Sequence, residues 1–395
     1  MTLFKNSYNS ANFGNRLKIS IVRKGKQYNF GDNIRIRKIF EILFTSGFEV
    51  SEITLPEFSS SSSSIQLMKE VALYGFPPIR MRHSKNFSTE SLRERIGNTV
   101  LSNYLLKRLK VLRPDLIIAE TSPVGWIAVD IAKKFNIPCL IDVHGLSFAE
   151  TKGSGFKGWR EIALLEQFSF RQCDHIFVVS TRMKDYLLNK FNISAKKITV
   201  ASNGGEIAID STARFGLPLN LAYAGIFAYW EKIDDFLNVA KVADSRKFKF
   251  NLAGNGPLKD VLLNRVQVEK IPLKYFGYIP KSNISKWLVN MQVGIAPSTK
   301  DLARQVASPI KVFNYLSSGL PVITPRMGDW GEIIVKENCG IALEDDGVES
   351  YLGALDRLSS QHIWAEKAEN ALKTIREKYN WSMTLKPIVT VVSKF

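Results

Sequence analysis

The chain has 395 residues, of which 45% are hydrophobic and 23% are charged. This composition excludes disorder throughout the chain, and the length allows two domains that each bury an apolar core. No apolar run approaches the roughly 18 residues of a membrane-spanning helix, and residues 1–16 lack the apolar segment of a secretory signal, so we expect a cytoplasmic protein. The three cysteines are far apart and lack metal-ligand spacing, so the sequence predicts neither a disulfide framework nor a zinc site.

The formal net charge of +17 lies mainly in the first half of the chain. Residues 1–200 contain 30 Lys and Arg against 17 Asp and Glu, a balance of +13, whereas residues 201–395 contain 24 against 20, a balance of +4. Such a field favours a phosphate-bearing substrate, an anionic membrane or nucleic acid. The basic clusters contain no aromatic-rich recognition motif, so we expect no nucleic-acid partner; peripheral contact with the inner membrane face and a solvated face without a partner both remain open. The clusters are Arg16–Lys26, Arg35–Lys38, Arg80–Lys85 and Lys107–Arg113.

In the first half, short apolar runs alternate with helix-length segments, as in a parallel sheet built through right-handed crossovers. One predicted helix carries an apolar stripe at helical spacing, which we expect to face the core; contact with lipid is the alternative. The six serines from Ser59 to Ser64 are too polar to pack and predict a loop. The stripe is Leu101, Tyr104, Leu105 and Leu109, and the predicted strands are Lys18–Val22, Glu49–Leu55, Leu116–Glu120, Cys139–Val143, His175–Val179 and Ile198–Ala201.

The second half repeats this alternation after a break. The stretch from Asn203 to Pro218 lacks clear periodicity, which indicates a domain boundary. We predict two doubly wound α/β domains over residues 1–205 and 206–378, and a C-terminal segment, residues 379–395, that packs back on the first domain. Two such domains leave a cleft between facing strand ends, where open α/β sheets bind ligands. The predicted strands here are Leu221–Ala224, Lys249–Leu252, Leu273–Phe276, Val293–Ala296 and Pro321–Thr324.

The segment from Ser308 to Gly319 predicts a helix with both ends marked. Ser308 suits the N-cap, Pro309 suits the first helical position, and Gly319 suits a left-handed residue after the last turn. A strand follows at once, so the helix N-terminus faces the cleft and offers free N–H groups to an anion, with the charge of Lys311 beside them.

These landmarks resemble those of the family-four retaining glycosyltransferases, whose GT-B fold has two Rossmann-like domains facing a central cleft. The resemblance covers nearly the whole chain and is most specific over residues 198–342. The matching motifs are Asp142-Val143-His144-Gly145, Val200-Ala201-Ser202-Asn203-Gly204, Tyr223-Ala224-Gly225, Ala253-Gly254-Asn255-Gly256-Pro257-Leu258, Phe276-Gly277-Tyr278-Ile279 and Gly319-Leu320-Pro321-Val322-Ile323.

The resemblance implies roles for the matching residues. The first domain binds the acceptor and the second binds a UDP- or GDP-sugar, with no further cofactor. His144 is the catalytic candidate, because the family has a histidine there that contacts the transferred sugar. The acceptor is expected to be a phosphate-linked lipid or a growing glycan. The candidate donor-binding residues are Gly225, Lys232, Gly256, Tyr278, Ile279, Arg304, Ser308, Ile310, Lys311 and Asn314.

The sequence departs from the family pattern at the phosphate cations and at a pair of glutamates. Ile226 replaces an arginine after Gly225, and Lys232 lies one position beyond the family's lysine, where Glu231 stands. The paired glutamates fall on Val306 and Asn314. We expect Arg304 to replace the lost arginine if its loop turns inward; the alternative is a surface side chain.

The prediction is a retaining transferase that needs no metal ion, since no Asp-x-Asp element follows a strand. The resemblance implies that the acceptor hydroxyl attacks the sugar on the same face from which the diphosphate departs. Because of the lost glutamates, a non-catalytic subunit that binds a nucleotide sugar or a protein partner is the main alternative. A sugar-nucleotide epimerase on the same scaffold is a further one.

Overall fold

The computed structural model describes residues 16–24, 31–56, 92–121, 124–155, 158–207 and 213–395. Within these ranges the first domain holds a six-stranded parallel sheet in the order β2-β1-β3-β4-β5-β6. The order reverses between β1 and β3, so helices cover both faces and most strand residues are buried. The strands are β1 Lys18–Lys24, β2 Glu49–Leu55, β3 Leu116–Glu120, β4 Cys139–Val143, β5 His175–Val178 and β6 Ile198–Val200.

The second domain repeats this architecture with the strand order β12-β11-β10-β7-β8-β9. Here the order reverses between β7 and β10. In open α/β sheets the crevice beyond the carboxyl ends at such a switch point is where ligands bind. The strands are β7 Leu219–Ile226, β8 Phe248–Asn255, β9 Leu273–Tyr275, β10 Val293–Ile295, β11 Val322–Pro325 and β12 Gly340–Leu343.

The helices connect successive strands and cover the sheets. In the first domain they are α1 Gly31–Thr45, α2 Leu92–Leu112, α3 Val124–Phe135, α4 Ser147–Gly153, α5 Trp159–Gln172 and α6 Thr181–Phe191. In the second they are α7 Ile233–Val242, α8 Lys259–Val268, α9 Lys281–Leu288, α10 Leu302–Gln305, α11 Ile310–Ser317, α12 Gly328–Lys336, α13 Val348–Leu358 and α14 Gln361–Thr374. A π-helical turn, Ile375–Tyr379, leads to the last helix, α15 Trp381–Val392.

The predicted two-domain parallel fold is confirmed, and each of the eleven predicted strands is present with its ends within three residues. The edge strand β12 was not predicted, because its four residues are too few to show a period and two of them are only partly buried. The apolar stripe of α2 faces the core as expected, with Leu105 and Leu109 fully buried. The serine run Ser59–Ser64 and the cluster Arg80–Lys85 lie outside the described residues.

The chain passes between the domains at two adjacent points. One is near Gly205 and the other near Asn380, and two hydrogen bonds join them. The Gly205 N–H donates to the Tyr379 carbonyl at 2.8 Å, and the Trp381 N–H donates to the Gly205 carbonyl at 3.3 Å. Helix α15 then packs on α1 and β6, where Trp381 and Leu385 join the core of the first domain. Residues after Asn380 therefore pack with the first domain although they follow the second in sequence.

Candidate active site

The N-terminus of α11 forms one wall of the candidate site. Helix α11 begins at Ile310, and no side chain caps its first turn. The predicted N-cap at Ser308 is wrong by one residue: Pro309 is the N-cap, and it has no hydroxyl with which to accept from the following N–H groups. At the other end Gly319 has φ +74°, the left-handed conformation that its type favours. The uncapped first turn is suited to an anion.

Lys311 brings a buried cation to this helix end. Its ammonium group pairs with the Glu231 carboxylate, donates to the Tyr223 hydroxyl at 3.3 Å and lies 4.6 Å from the centroid of that ring. A Cβ on Gly225 would stand 3.1 Å from the Lys311 Nζ, so a larger residue at the end of β7 would press on the ammonium group. Burial lowers the pKa of Lys311, and the charge of Glu231 opposes that shift.

Arg304 turns inward, as the replacement for the missing arginine requires. Asp301 caps the short helix α10 by accepting from the Arg304 N–H at 3.1 Å. The guanidinium donates to the Ser298 hydroxyl at 3.2 Å and lies 3.8 Å from the second oxygen of Glu231, with 14% of the side chain exposed. Burial would raise the pKa of Glu231, but the charges of Lys311 and then Arg304 outweigh burial and hold that pKa below its ordinary value.

Lys232 pairs with carboxylates other than the one that Lys311 and Arg304 face. Lys232 has φ +46° and its ammonium group pairs with Asp346 at 2.9 Å and Asp235 at 3.1 Å. Asp235 lies on α7, and Asp346 lies just before α13. Lys311, by contrast, is paired with Glu231. Of these three candidate cations, Lys311 and Arg304 therefore share one carboxylate, Glu231, and Lys232 does not.

Three more of the candidate donor-binding residues follow β8 and β9, the two strands on the side of β7 away from β10. Tyr278 is half exposed and Ile279 partly buried. Gly256 has φ +157°, and a Cβ there would lie 2.6 Å from the backbone nitrogen and oxygen of Phe227. Only glycine allows this turn to pack directly on the backbone that follows β7.

The first domain contributes a buried row of polar groups after β4. The His144 Nε2 lies 3.1 Å from the Asp142 carboxylate, and 11% of the His144 side chain is exposed. Arg35 of α1 binds the same carboxylate in bidentate fashion, through Nη2 to Oδ1 at 2.6 Å and Nε to Oδ2 at 2.9 Å. Burial would raise the pKa of Asp142, but the charges of Arg35 and His144 hold it well below its usual range. The histidine is thus fixed by an ionised carboxylate.

The row continues across the domain boundary to α11. The Arg35 Nη1 donates to the side-chain oxygen of Asn203 at 3.2 Å. The Asn203 amide in turn donates to the Ser308 carbonyl at 2.6 Å, directly before α11. All the members are nine-tenths or more buried except His144. The contact of His144 with Asp142, followed by hydrogen bonds through Arg35 and Asn203, therefore connects the histidine of one domain to the anion-facing helix of the other.

The two positions of the missing glutamates have different surroundings. Val306 is 2% exposed and packs into the first domain's core, and its carbonyl accepts from the Ser180 hydroxyl at 2.6 Å. Asn314 lies one turn into α11 and remains partly exposed. Val306 thus holds the domains together, and Asn314 is left with an amide that can donate and accept hydrogen bonds.

Tyr229, two residues before Glu231, makes a second contact between the domains. The Tyr229 hydroxyl donates to the Glu150 carbonyl of α4 at 2.9 Å. It lies against Gly153, where a Cβ would clash with it. This contact was not predicted from the sequence.

Four functional candidates escaped the sequence reasoning. Arg35 appeared only within a basic cluster, Asp142 and Asn203 only as letters of a motif, and Glu231 only as a displaced position. Arg35 lies among apolar residues of a helix, at a spacing that places it on the buried face with Ile36 and Ile39. That spacing was the available signal for its burial.

The described residues show neither a metal-binding cluster nor a membrane-spanning helix. Within the ranges that the structure describes, no group of three His, Cys, Asp or Glu side chains lies close enough to hold a metal ion. Of the helices in those ranges, none combines the length and apolar character needed to cross a bilayer.

Comparison with family models gives one match in each domain. Residues 68–207 match the model described as Glycosyltransferase Family 4, and residues 218–361 match the model described as Glycosyl transferases group 1. A relative from Escherichia coli, UDP-Gal:alpha-D-GlcNAc-diphosphoundecaprenol alpha-1,3-galactosyltransferase, is 22% identical over 302 residues. That match covers 70% of this chain and 74% of the relative.

Solved structures share the whole two-domain arrangement. Sucrose-phosphate synthase from Thermosynechococcus elongatus superposes with a TM-score of 0.72 at 15% identity, covering 96% of this chain and 99% of that one. HepE from Anabaena, solved in complex with UDP-glucose, gives a TM-score of 0.71 at 11% identity over 96% of this chain and 100% of its own. At these identities the likeness shows a common fold.

Proposed function

We propose that this chain, which belongs to the family-four, group 1 glycosyltransferases of the GT-B fold, transfers a sugar from a UDP- or GDP-linked donor with retention of configuration and without a metal ion. The observation that carries the proposal is the convergence on one cleft of the uncapped α11 N-terminus, Lys311 and Arg304, with His144 tied to the same helix through Asn203. The cations lie in the second domain, so that domain binds the donor.

The chemical demand on the second domain is to stabilise the leaving diphosphate. As the bond between the sugar's C1 and the phosphate oxygen breaks, negative charge develops on that oxygen. The N–H groups of Ile310 and Lys311 and the two cations are placed to stabilise it. The acceptor hydroxyl then bonds to C1 on the face that the diphosphate leaves, and its proton passes to the departing phosphate oxygen. No side-chain nucleophile takes part.

His144 is assigned to the transferred sugar. Its Nε2 faces Asp142, which fixes the ring at the carboxyl end of β4, where the resemblance puts the transferred sugar. The ionised Asp142 favours positive charge on the ring as charge builds on the sugar in the transition state. The His144→Ala variant should therefore lower kcat by more than it weakens nucleotide binding. Equal losses would make His144 a binding residue only.

For the acceptor, we propose a phosphate-linked lipid or a growing glycan on the first domain. The Escherichia coli relative's name gives a diphosphoundecaprenol-linked acceptor. The first half of this chain carries a balance of +13, suited to such an anion and to the anionic inner face of a membrane. Vesicles with anionic lipid should sediment the protein, and neutral vesicles should not; equal recovery with both would count against membrane contact.

The test of activity is a panel of UDP- and GDP-sugars, beginning with UDP-galactose, incubated with purified protein in the presence of EDTA. Release of UDP or GDP by slow hydrolysis, or transfer to a lipid-diphosphate sugar, is the expected result. A reaction that required added divalent metal would contradict the metal-independent mechanism, and the anomeric configuration of the product decides retention.

The burial of Val306 in the domain contact supports the alternative of a non-catalytic subunit, because a sugar-holding carboxylate is absent there. Calorimetry separates the two functions. Binding of UDP or GDP together with turnover supports the transferase, whereas binding without turnover across the whole panel supports the subunit.

A further inference from the structure

The charges beside α11 are already partly neutralised by a residue of the chain itself. Glu231 is 3% exposed, and its two carboxylate oxygens face the Lys311 ammonium group and the Arg304 guanidinium. The Tyr223 hydroxyl lies 3.4 Å from one of these oxygens. Two cations and a hydroxyl around an anionic oxygen pair are the surroundings that a phosphate group requires.

The balance of charge in this cluster remains positive. Lys311 and Arg304 contribute two positive charges and Glu231 one negative charge. A buried cluster with excess charge is costly to maintain, and an arriving anion relieves that cost. Both cations keep access from outside, with 11% of the Lys311 side chain and 14% of the Arg304 side chain exposed, against 5% for Glu231.

The turn that carries Glu231 also contacts the first domain. Tyr229, two residues before it, reaches across to the Glu150 carbonyl of the first domain. Lys232, directly after it, has φ +46°, a left-handed conformation that is uncommon for any residue with a Cβ. The turn thus joins the paired cations to the domain contact within four residues.

We propose that Glu231 is an internal counter-anion of the donor site, and that the donor's diphosphate displaces it from Lys311 and Arg304. This inference rests on the proposed donor-binding function and deepens it. Glu231 competes with the diphosphate for the same cations, so it weakens nucleotide binding while protecting the empty site from an unpaired buried charge. Its removal should therefore strengthen binding of the diphosphate and lower the stability of the protein without ligand.

The experiment measures the Kd of UDP, GDP and inorganic pyrophosphate by calorimetry for the wild type, Glu231→Gln and Glu231→Asp. Glu231→Gln should lower the Kd of the tighter-binding nucleotide and of pyrophosphate by about tenfold, the scale of one close charge pair. Glu231→Asp keeps the charge and should stay near the wild type. Glu269→Gln, which removes the same charge from a partly exposed ion pair at the end of α8, is the matched control and should leave every Kd unchanged.

Thermal unfolding separates displacement from a purely structural role. Without ligand, Glu231→Gln should unfold at a lower temperature than the wild type, and saturating nucleotide should raise its Tm by more than it raises the wild type's. If the wild type binds nucleotide and the Kd for Glu231→Gln is unchanged or higher, Glu231 is not a counter-anion of the donor site, although the donor site itself stands. Failure of the wild type and of Glu231→Gln to bind UDP, GDP and pyrophosphate would overturn the donor site as well.

Discussion

The Arg35 guanidinium and the Asp142 carboxylate form a bidentate ion pair that is almost fully buried in the first domain. The pair joins α1 to the residue two positions before His144. Because the guanidinium also binds Asn203, whose amide holds the Ser308 carbonyl, a single side chain supports both walls of the cleft. Arg35 is thus a positioning residue, which acts through the groups that it orients.

Replacing Arg35 with methionine should destabilise the protein by about 3 to 5 kcal/mol, since it leaves the Asp142 carboxylate buried and unpaired. Chemical denaturation measures this change. The double variant Arg35→Met with Asp142→Asn removes both charges and should recover part of the loss. A single variant within about 0.5 kcal/mol of the wild type would show that the pair contributes little.

The cost of Arg35→Met should also depend on pH. In the wild type the pKa of Asp142 is held below its unfolded value, so the stability that the pair contributes is present above about pH 4 and is lost as the pH falls further. In the variant, burial raises the pKa of Asp142 because Arg35 no longer opposes it. In acid, Asp142 becomes protonated, and the cost of burying an unpaired carboxylate disappears. The stability difference between the two proteins should therefore be smaller at pH 3.5 than at pH 7. A constant difference would contradict this account.

Lys311 and Lys232 give opposite expectations for nucleotide binding. Lys311→Met removes a cation from the α11 end and should raise the Kd of UDP or GDP by about tenfold to a hundredfold. Lys232→Met removes a lysine that pairs with Asp346 and Asp235, and should change the Kd by less than about threefold. If Lys232→Met costs as much affinity as Lys311→Met, the family position of the lysine, and not its contacts here, decides its role.

Glu166 should make stability fall with rising pH. Its carboxylate accepts from the Ser147 N–H at 2.8 Å and the Phe148 N–H at 3.3 Å at the start of α4, which follows His144. Burial raises the pKa of Glu166 to about 7. When folding raises the pKa of a carboxyl group, the protonated group stabilises the folded protein. This stabilisation is complete below the pKa of the unfolded state and is lost as the pH rises through the pKa of the folded state.

The variant Glu166→Gln removes this titration while keeping an acceptor for α4. Between pH 5 and pH 8 the wild type should lose stability relative to Glu166→Gln, by an amount of order 3 kcal/mol. Denaturation curves of both proteins at the two pH values measure it. Parallel pH dependence in the wild type and the variant would contradict the assignment.

The elements that sequence could predict are those whose signal is local. The strand ends and the α11 segment follow from apolar runs and from Gly319, because hydrophobic period and backbone preference act over a few neighbouring residues. The two-domain arrangement follows from their alternation. The helix start was misplaced only because Ser308 and Pro309 are both compatible with the first turn.

The site contacts could not be predicted in the same way, because their partners are far apart in the chain. Arg35 and Asp142 are separated by 107 positions, and Lys311 and Glu231 by 80. A lone sequence indicates that Arg35 is basic, but not that a carboxylate of another strand lies beside it. Likewise, Val306 replaces a glutamate in the motif, but only the packing of α10 on the first domain shows that the position is a domain contact.

The placement of the donor in the second domain is tested most directly by a crystal structure of the protein with UDP or GDP bound. We expect the β-phosphate within hydrogen-bond distance of the Lys311 ammonium group and of the N–H groups that begin α11, with the nucleoside beside Tyr278 and Ile279. A diphosphate bound at Lys232, or on the first domain away from α11, would contradict the account.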